Sequence, residues 1–372
     1  MRRMYSVFSF FSGCGLLDLG FEKAGFNIVF VNELSNSFLN AYKYSRKKMG
    51  CAIPRYGFWE TDINKYLYSR REELDGFMNN ARSNGDIIGY IGGPPCPDFS
   101  VGGKNRGKDG ERGKLSLSYI KLIVNMQPDW FLFENVKGLW RTAKHRAFYD
   151  SLKEILEEGG YEITERLTNS FEYGVPQDRD RILLFGINKA YTNCSPRLPW
   201  EKCIVYKLAL MKSEDWPKQD IFIEGSKTVN PNPGLAPLTV QHWFDINNVD
   251  NHPNSNKHFI PRAGIEKMRT IAEGDVSKKS YKRLHRWRYS PTVAYGNNEV
   301  HLHPYRERRI SVAEALAIQS LPKEFELPQD MSLTDMFKTI GNGVPFLLSD
   351  GIAKTIRFFL EGNVCKELQR QI

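Results

Sequence analysis

One stretch, Gly92-Gly93-Pro94-Pro95-Cys96-Pro97-Asp98-Phe99-Ser100, restricts what this chain can fold into more than any other. Proline fixes φ near about −65° and cannot continue a helix. The run Ile87 to Ile91 just before it is short and apolar, as the end of a buried strand is. Cys96 is therefore expected on a rigid turn at a strand's carboxyl end, where open α/β sheets place their ligands. A second apolar run, Phe131-Leu132-Phe133, leads into Glu134-Asn135-Val136. A thiol and a carboxyl held at strand ends suit covalent catalysis assisted by proton transfer.

The first half of the chain alternates short apolar runs with amphipathic segments. Val7–Phe11, Ile28–Asn32, Ile87–Ile91, Trp130–Phe133 and Arg181–Ile187 read as strands. Leu16–Ala24, Ser37–Tyr44, Ser116–Asn125 and Ala147–Gly159 read as helices. This βαβ rhythm predicts an α/β fold with a doubly wound, Rossmann-like sheet. Beyond Asn188 the rhythm fails. Residues 190–305 are rich in Pro, Asn, Trp and basic residues, and read as a smaller domain of irregular build. Helical pattern resumes at Ser311–Gln319 and again from Pro345 toward Phe359, which should return to the first domain. The expected division is 1–189, 190–325 and 326–372.

Of the 372 residues 41% are hydrophobic and 26% charged, an ordinary globular balance. No apolar run approaches the roughly 20 residues of a membrane span. The opening Met1-Arg2-Arg3-Met4-Tyr5 lacks the apolar core of a signal peptide, so a cytoplasmic protein is expected. The six cysteines form no CxxC pair, which argues against zinc and disulfide frameworks; no metal is expected. Net charge is +9, and residues 255–310 hold 13 Lys/Arg against 5 Asp/Glu. Such an excess suits a polyanion, because clustered Lys/Arg release counterions from phosphates.

The first strand runs into Ser12-Gly13-Cys14-Gly15-Leu16 and then a helix. Glycines here let backbone approach a ligand. The second strand ends in Asn32-Glu33, where an acid grips the hydroxyls of a nucleotide ribose. Asp62, in Thr61-Asp62-Ile63, offers a second carboxylate for an adenine amine.

Taken together, these residues resemble the DNA cytosine-5 methyltransferases, and most closely the single-chain bacterial modification enzymes. Phe11-Ser12-Gly13-Cys14-Gly15 is similar to the family's first motif, Glu33 to its second and Asp62 to its third. Gly93-Pro94-Pro95-Cys96 resembles the catalytic motif, Glu134-Asn135-Val136 the ENV element, and Gln177-Asp178-Arg179-Asp180-Arg181 the QxRxR element. Arg308-Arg309-Ile310-Ser311 through Gln319-Ser320-Leu321-Pro322 resembles the ninth motif, and Gly341-Asn342-Gly343-Val344-Pro345 the tenth. Three positions depart from the pattern. Pro97 follows the cysteine in place of glutamine. Ala313 precedes Glu314 in place of arginine, which should weaken a structural ion pair. Leu34 stands where a larger side chain often packs on adenine.

The resemblance implies a catalytic and cofactor-binding domain at 1–189, a target-recognition domain at 190–325 and a return to the first domain at 326–372. It implies methyl transfer from S-adenosylmethionine to carbon 5 of a cytosine in double-stranded DNA. Cys96 would add to carbon 6, Glu134 would act at N3 and the 4-amino group, and Arg181 would hold O2. Arg179, with Arg181, would supply positive charge near the thiolate. The donor would lie against Phe11, Ser12, Gly13, Cys14, Gly15, Leu16, Glu33, Leu34, Asp62, Ile63, Pro95, Leu115, Asn342 and Gly343. The target base lies inside a duplex and must be flipped out. The glycine-rich basic run Val101 to Lys114 reads as a lid closing on phosphates, with Ser100, Lys104 and Arg106 as its contacts. Ser290 to Gly296 is similar to the family's threonine-containing recognition element, which makes Thr292 a contact. Lys278, Lys279, Lys282, Arg283, Arg286 and Arg288 are candidates for phosphate or guanine. The expected partners are double-stranded DNA and a separately acting restriction endonuclease, with the enzyme itself a monomer and no membrane involved. Two other readings stay open: a tRNA substrate for the same chemistry, and a silent DNA-binding relative. The basic irregular segment favours duplex DNA over tRNA, and the intact Cys96, Glu134 and Arg181 favour an enzyme over a silent relative.

Overall fold

A computed structural model describes residues 4–95, 111–191, 197–261, 264–278, 280–293, 295 and 300–368, without the side chains of 111–112 and 363–368. Its centre is a seven-stranded sheet in the order β3-β2-β1-β4-β5-β8-β6. The strands are β1 (Tyr5–Phe10), β2 (Asn27–Asn32), β3 (Phe58–Trp59), β4 (Ile87–Gly92), β5 (Trp130–Val136), β6 (Tyr161–Asn169) and β8 (Asp180–Asn188). β1 to β5 pair in parallel, whereas β8 runs antiparallel to both β5 and β6. The short strands β7 (Gln177–Asp178) and β9 (Ser290–Pro291) form a separate parallel pair.

The period of two in the strands builds two cores. Tyr5 and Val7 of β1, Trp130 and Leu132 of β5, and Leu183, Phe185 and Ile187 of β8 face one layer. Phe8 and Phe10, Phe131 and Phe133, and Ile182 and Leu184 face the other. The first layer buries α1 (Leu16–Lys23), α2 (Asn36–Lys48) and the last helix, α12 (Phe346–Leu368). The second buries α3 (Asn64–Leu67), α4 (Arg71–Ser83), α5 (Glu111–Met126) and α6 (Ala143–Glu158). The C-terminal helix thus packs on the first one, closing the sheet's far face.

The described residues of 197–305 form short pieces: α7 (Leu208–Ser213), α8 (Val240–Ile246), α9 (Ile265–Arg269), and two 3₁₀ segments, Pro233–Leu238 and Val249–Asn251. Then come α10 (Val312–Ile318) and α11 (Leu333–Asn342). A third core joins Leu16, Leu19 and Ala41 of the sheet domain to Phe244, Leu284, Val312, Leu316 and Ile340. The helix α10 therefore belongs to the seam between the two regions rather than to the irregular one alone. Ser311 and Glu314 form a capping box at its start, which fixes where it begins.

No helix among the described residues is long and apolar enough to cross a membrane. Nor do the described residues hold a His/Cys/Asp/Glu group able to bind a metal ion.

Candidate active site

The carboxyl ends of β1, β2, β4 and β5 converge where the strand order reverses between β1 and β4, the crevice in which open α/β sheets bind ligands. Glu134 and Arg181 come from adjacent antiparallel strands. Glu134 lies opposite Leu183, and Val136 opposite Arg181, so the two polar side chains are diagonal neighbours on one face. Glu134 Oε1 is 2.7 Å from Arg181 Nε, and both side chains are about nine-tenths buried. Arg181 Nη1 also donates to the Asp180 carbonyl at 2.7 Å. Burial lowers the Arg181 pKa, and the Glu134 carboxylate opposes that shift.

The other carboxylate oxygen, Oε2, lies against Gly93. A Cβ on Gly93 would sit 2.7 Å from it, closer than real side chains approach. Glycine at this position is what admits the carboxylate beside the proline turn. The neighbouring Asn135 is buried and donates from Nδ2 to the Pro94 carbonyl at 3.4 Å, tying β5 to that turn. Cys96, Ser100, Lys104 and Arg106 lie outside the described residues.

The first glycine turn is held from below by side chains. Phe11, Gly13 and Gly15 all have positive φ, of 54°, 56° and 85°. Glu33 accepts the Gly13 amide at 2.8 Å on one oxygen and the Ser35 amide at 2.8 Å on the other. Burial pushes the Glu33 carboxyl up, against those amides. Ser12 donates to the Asn32 carbonyl, and Arg46 to the Gly15 carbonyl at 2.6 Å. Leu16 is buried against Gly343, which has no room for a side chain there. Cys14 is buried too, and burial pushes its thiol up to about 11. Leu34, by contrast, is 63% exposed beside Glu33. Asp62 is half-buried and accepts the Asn64 amide at 2.8 Å, while Ile63 is buried. Phe11 meets the ring of Tyr119 edge-on at 6.0 Å, with Leu115 in the same cluster. Pro95 and Asn342 are exposed.

The surroundings of Arg179, Arg283, Arg286 and Glu314 differ from expectation. Arg179 is wholly buried, and its guanidinium donates to the carbonyls of Val293, Gly341 and Gly343 at 3.2, 2.9 and 3.0 Å. Its two terminal nitrogens are thus taken up by backbone carbonyls, while Nε has no hydrogen-bond partner among the described residues, so the guanidinium braces two backbone segments rather than standing free. Arg283 is also buried and donates to the carbonyls of Met268, Ile271 and His303, which removes it from any DNA-facing surface. Arg286 is likewise withdrawn, into a buried ion pair with Glu273 at 2.7 Å. Much of the basic excess in 255–310 thus holds an irregular chain together where strands and helices do not satisfy its carbonyls. Finally, Ala313 does not leave Glu314 short of a partner: Arg308 reaches it with both terminal nitrogens, at 2.8 and 2.7 Å. Of the other basic candidates, Lys278 is exposed, Lys282 and Arg288 are half-buried, and Lys279 lies outside the described residues. Thr292 is exposed and donates to the Asp178 carbonyl at 2.5 Å.

Sequence reasoning missed Asn135, Gln177 and Gln319 as parts of this site. The signal for Gln177 was available: in Gln177-Asp178-Arg179-Asp180-Arg181 the odd positions are buried and the aspartates half-buried, a period of two.

Comparison with known proteins follows the same order of elements. A family model described as C-5 cytosine-specific DNA methylase matches residues 5–357. The type II methyltransferase M.NmeDI of Neisseria meningitidis serogroup C is 58% identical over 364 residues, covering 97% of this chain and 86% of that protein. M.FnuDI of Fusobacterium nucleatum, also a type II methyltransferase, is 31% identical over 362 residues, covering 94% of each chain. In fold, the chain is similar to an E. coli protein solved as a prophage-encoded DNA modification methyltransferase. The TM-score is 0.64 at 22% identity, over 96% of this chain and 99% of that one. The S. pombe Dnmt2 methyltransferase gives 0.57 at 14% identity, over 97% and 99%. A match that runs from β1 into the last helix leaves no part of the catalytic sheet unaccounted for, and the chain belongs to the C-5 cytosine-specific DNA methylases.

Proposed function

We propose that this enzyme methylates carbon 5 of a cytosine flipped from duplex DNA, with S-adenosylmethionine as donor, as the modification enzyme of a restriction–modification system. One observation carries the reading of the site: a nearly buried Glu134–Arg181 pair beside the Pro94–Pro95 turn, with Gly93 making room for the carboxylate.

The donor site fits its residues. Among the described residues only the Thr339 hydroxyl comes within 4 Å of where a Gly13 Cβ would be, which supports a ligand on that face of the turn. The exposed Leu34 stands next to Glu33, and half-buried Asp62 follows β3, giving an apolar surface flanked by two acids. Glu33, Leu34, Asp62, Ile63, Leu115 and the Phe11–Leu16 turn would hold the nucleoside, with Pro95, Asn342 and Gly343 near its methionine end. When bound, S-adenosylmethionine supplies an electrophilic methyl group on sulfonium sulfur.

Cytosine carbon 5 is a poor nucleophile. The Cys96 thiolate adds to carbon 6, which places electron density on carbon 5. Glu134 gives a proton to N3 and accepts from the 4-amino group, so the ring does not carry the added negative charge. Arg181 donates toward O2 and keeps the carboxyl aimed. Carbon 5 takes the methyl group as the methyl–sulfonium bond breaks. A base then removes the carbon 5 proton, N3 returns its proton to Glu134, and the carbon 6–sulfur bond breaks, which restores the aromatic ring, the thiolate and the carboxylic acid. Thr292 and Lys282 lie in the segment that would read or grip the duplex, together with Ser100, Lys104 and Arg106. The protein would act in the cytoplasm as a monomer, apart from its endonuclease.

Radiolabelled methyl transfer to duplex DNA and to tRNA tests this reading. Label in 5-methylcytosine of DNA alone is expected. Label confined to tRNA, or none in either, would overturn it. Bisulfite sequencing of an expressing host's DNA would then define the site.

A further inference from the structure

Arg179 carries a charge that the methyl-transfer chemistry does not use. Among the described residues it forms no direct ion pair; burial and the neighbouring Arg181 work against its charge, and the Glu134 carboxylate favours it from a distance. What replaces water around it is a set of carbonyl dipoles from two distant segments. Val293, two residues beyond β9, supplies one. Gly341, in the last turn of α11, and Gly343, which caps that helix, supply others. Gln177 runs a parallel line. Its Oε1 accepts the Val293 amide at 3.2 Å, and its Nε2 donates to Gln319 at 3.0 Å. Gln319 in turn donates to the Gly343 carbonyl at 3.3 Å. The pairing of β7 with β9 and the bond from Thr292 to Asp178 complete the first attachment. The second reaches the donor site, because Gly343 packs on Leu16 and Thr339 faces Gly13.

A buried guanidinium is costly unless hydrogen bonds and opposite charge replace its water. Here Nε has no partner among the described residues, so the burden falls on the carbonyls that hold the two terminal nitrogens and on the Glu134 carboxylate. Releasing either segment would strand part of that charge, so docking of one segment favours docking of the other. Segment 290–293 lies on the DNA side of the proposed function and turn 341–343 on its donor side; the inference rests on that reading. We propose that Arg179 is a positioning residue that couples binding of the target duplex to binding of the methyl donor. Coupling of this kind acts equally in both directions.

The test is calorimetric titration of the full chain with S-adenosylhomocysteine, alone and saturated with a duplex containing the methylated site. The unsubstituted protein should bind it at least about five-fold tighter when DNA is present. Arg179→Gln should bring that ratio close to one while each ligand still binds separately. Arg179→Lys, which keeps the charge but not the fork, should restore part of it. Hydrogen exchange on the unsubstituted protein guards against a variant that does not fold: duplex alone should slow exchange of the amides across 339–343. A ratio near one in the unsubstituted protein, an undiminished ratio in Arg179→Gln, or unchanged exchange would overturn the coupling. Failure of the unsubstituted protein to bind S-adenosylhomocysteine at all would instead refute the donor site, and with it the parent reading.

Discussion

Gly93→Ala isolates the placement of the Glu134 carboxylate, to which we assign the proton transfer at N3, without touching its chemistry. Gly93 is not among the residues with positive φ, so alanine adopts its backbone without strain. The new methyl would stand 2.7 Å from Glu134 Oε2 and 3.8 Å from its Cδ, whereas ordinary contact begins at 3.4 Å. The carboxylate would have to withdraw by about 0.7 Å, and the 2.7 Å approach to Arg181 leaves it little freedom to do so in place. Overpacking of this kind costs about 1–3 kcal/mol, a shift of a few degrees in Tm for a chain of this size. Misplacement near 1 Å at a reacting centre costs on the order of 10²-fold in rate. Single-turnover methyl transfer, with DNA and S-adenosylhomocysteine affinities measured alongside, should show the rate loss with binding retained. Glu134→Gln should lose about 10²-fold or more. Adding Gly93→Ala to it should cost little further, because both changes act through one group. A Gly93→Ala enzyme as fast as the parent would refute the placement of Glu134 at the base.

Other consequences can be measured separately. DNA affinity should fall steeply with salt; Lys282→Ala should shallow the slope of log K against log salt by about 0.9, whereas Arg283→Ala should lower Tm and leave the slope of the folded fraction unchanged. Glu33→Ala removes the acceptor of the Gly13 and Ser35 amides, so the dissociation constant for S-adenosylhomocysteine should rise roughly ten-fold or more, read by calorimetry. Burial pushes Glu22 up to about 7 despite Arg46 at 2.7 Å. Its contribution to stability is therefore complete below its ordinary 4.5 and lost as pH rises through about 7. Urea unfolding of Glu22→Gln should lack that part of the pH dependence; parallel curves for the two proteins from pH 4.5 to 8 would contradict it.

The sheet's inner strands were legible because they are buried on both faces and read as continuous apolar runs: β1, β2, β4, β5 and β8 all lie within a few residues of the expected segments. The edge strand β6 escaped notice. Its sequence, Tyr161-Glu162-Ile163-Thr164-Glu165-Arg166-Leu167-Thr168-Asn169, is only half-buried along its middle, where polar residues dilute the apolar signal. Nor did any residue announce that β8 runs antiparallel. The helix α4 was missed because only Leu74, Met78 and Ala81 are buried, a narrow stripe in a polar segment. At the candidate site, the motifs picked out Glu134 and Arg181, which the fold brings together, and Glu33, which it sets under the glycine turn. Spacing along the chain cannot tell an arginine facing phosphate from one buried among carbonyls or paired with an acid, which is why Arg283 and Arg286 were listed as phosphate or guanine candidates although both are buried.

The central claim is that a cysteine on the proline turn attacks the target ring while the carboxyl of Glu134 steadies it. Duplex DNA with 5-fluorocytosine at the target tests it most directly, because fluorine cannot leave as the proton does and the carbon 6–sulfur bond persists. With S-adenosylmethionine present, the unsubstituted enzyme should form an adduct that survives denaturing electrophoresis, and peptide mapping should place it on Cys96. Cys96→Ser should form none. A comparable adduct from Cys96→Ser, or active enzyme that leaves no adduct at all, would contradict the account.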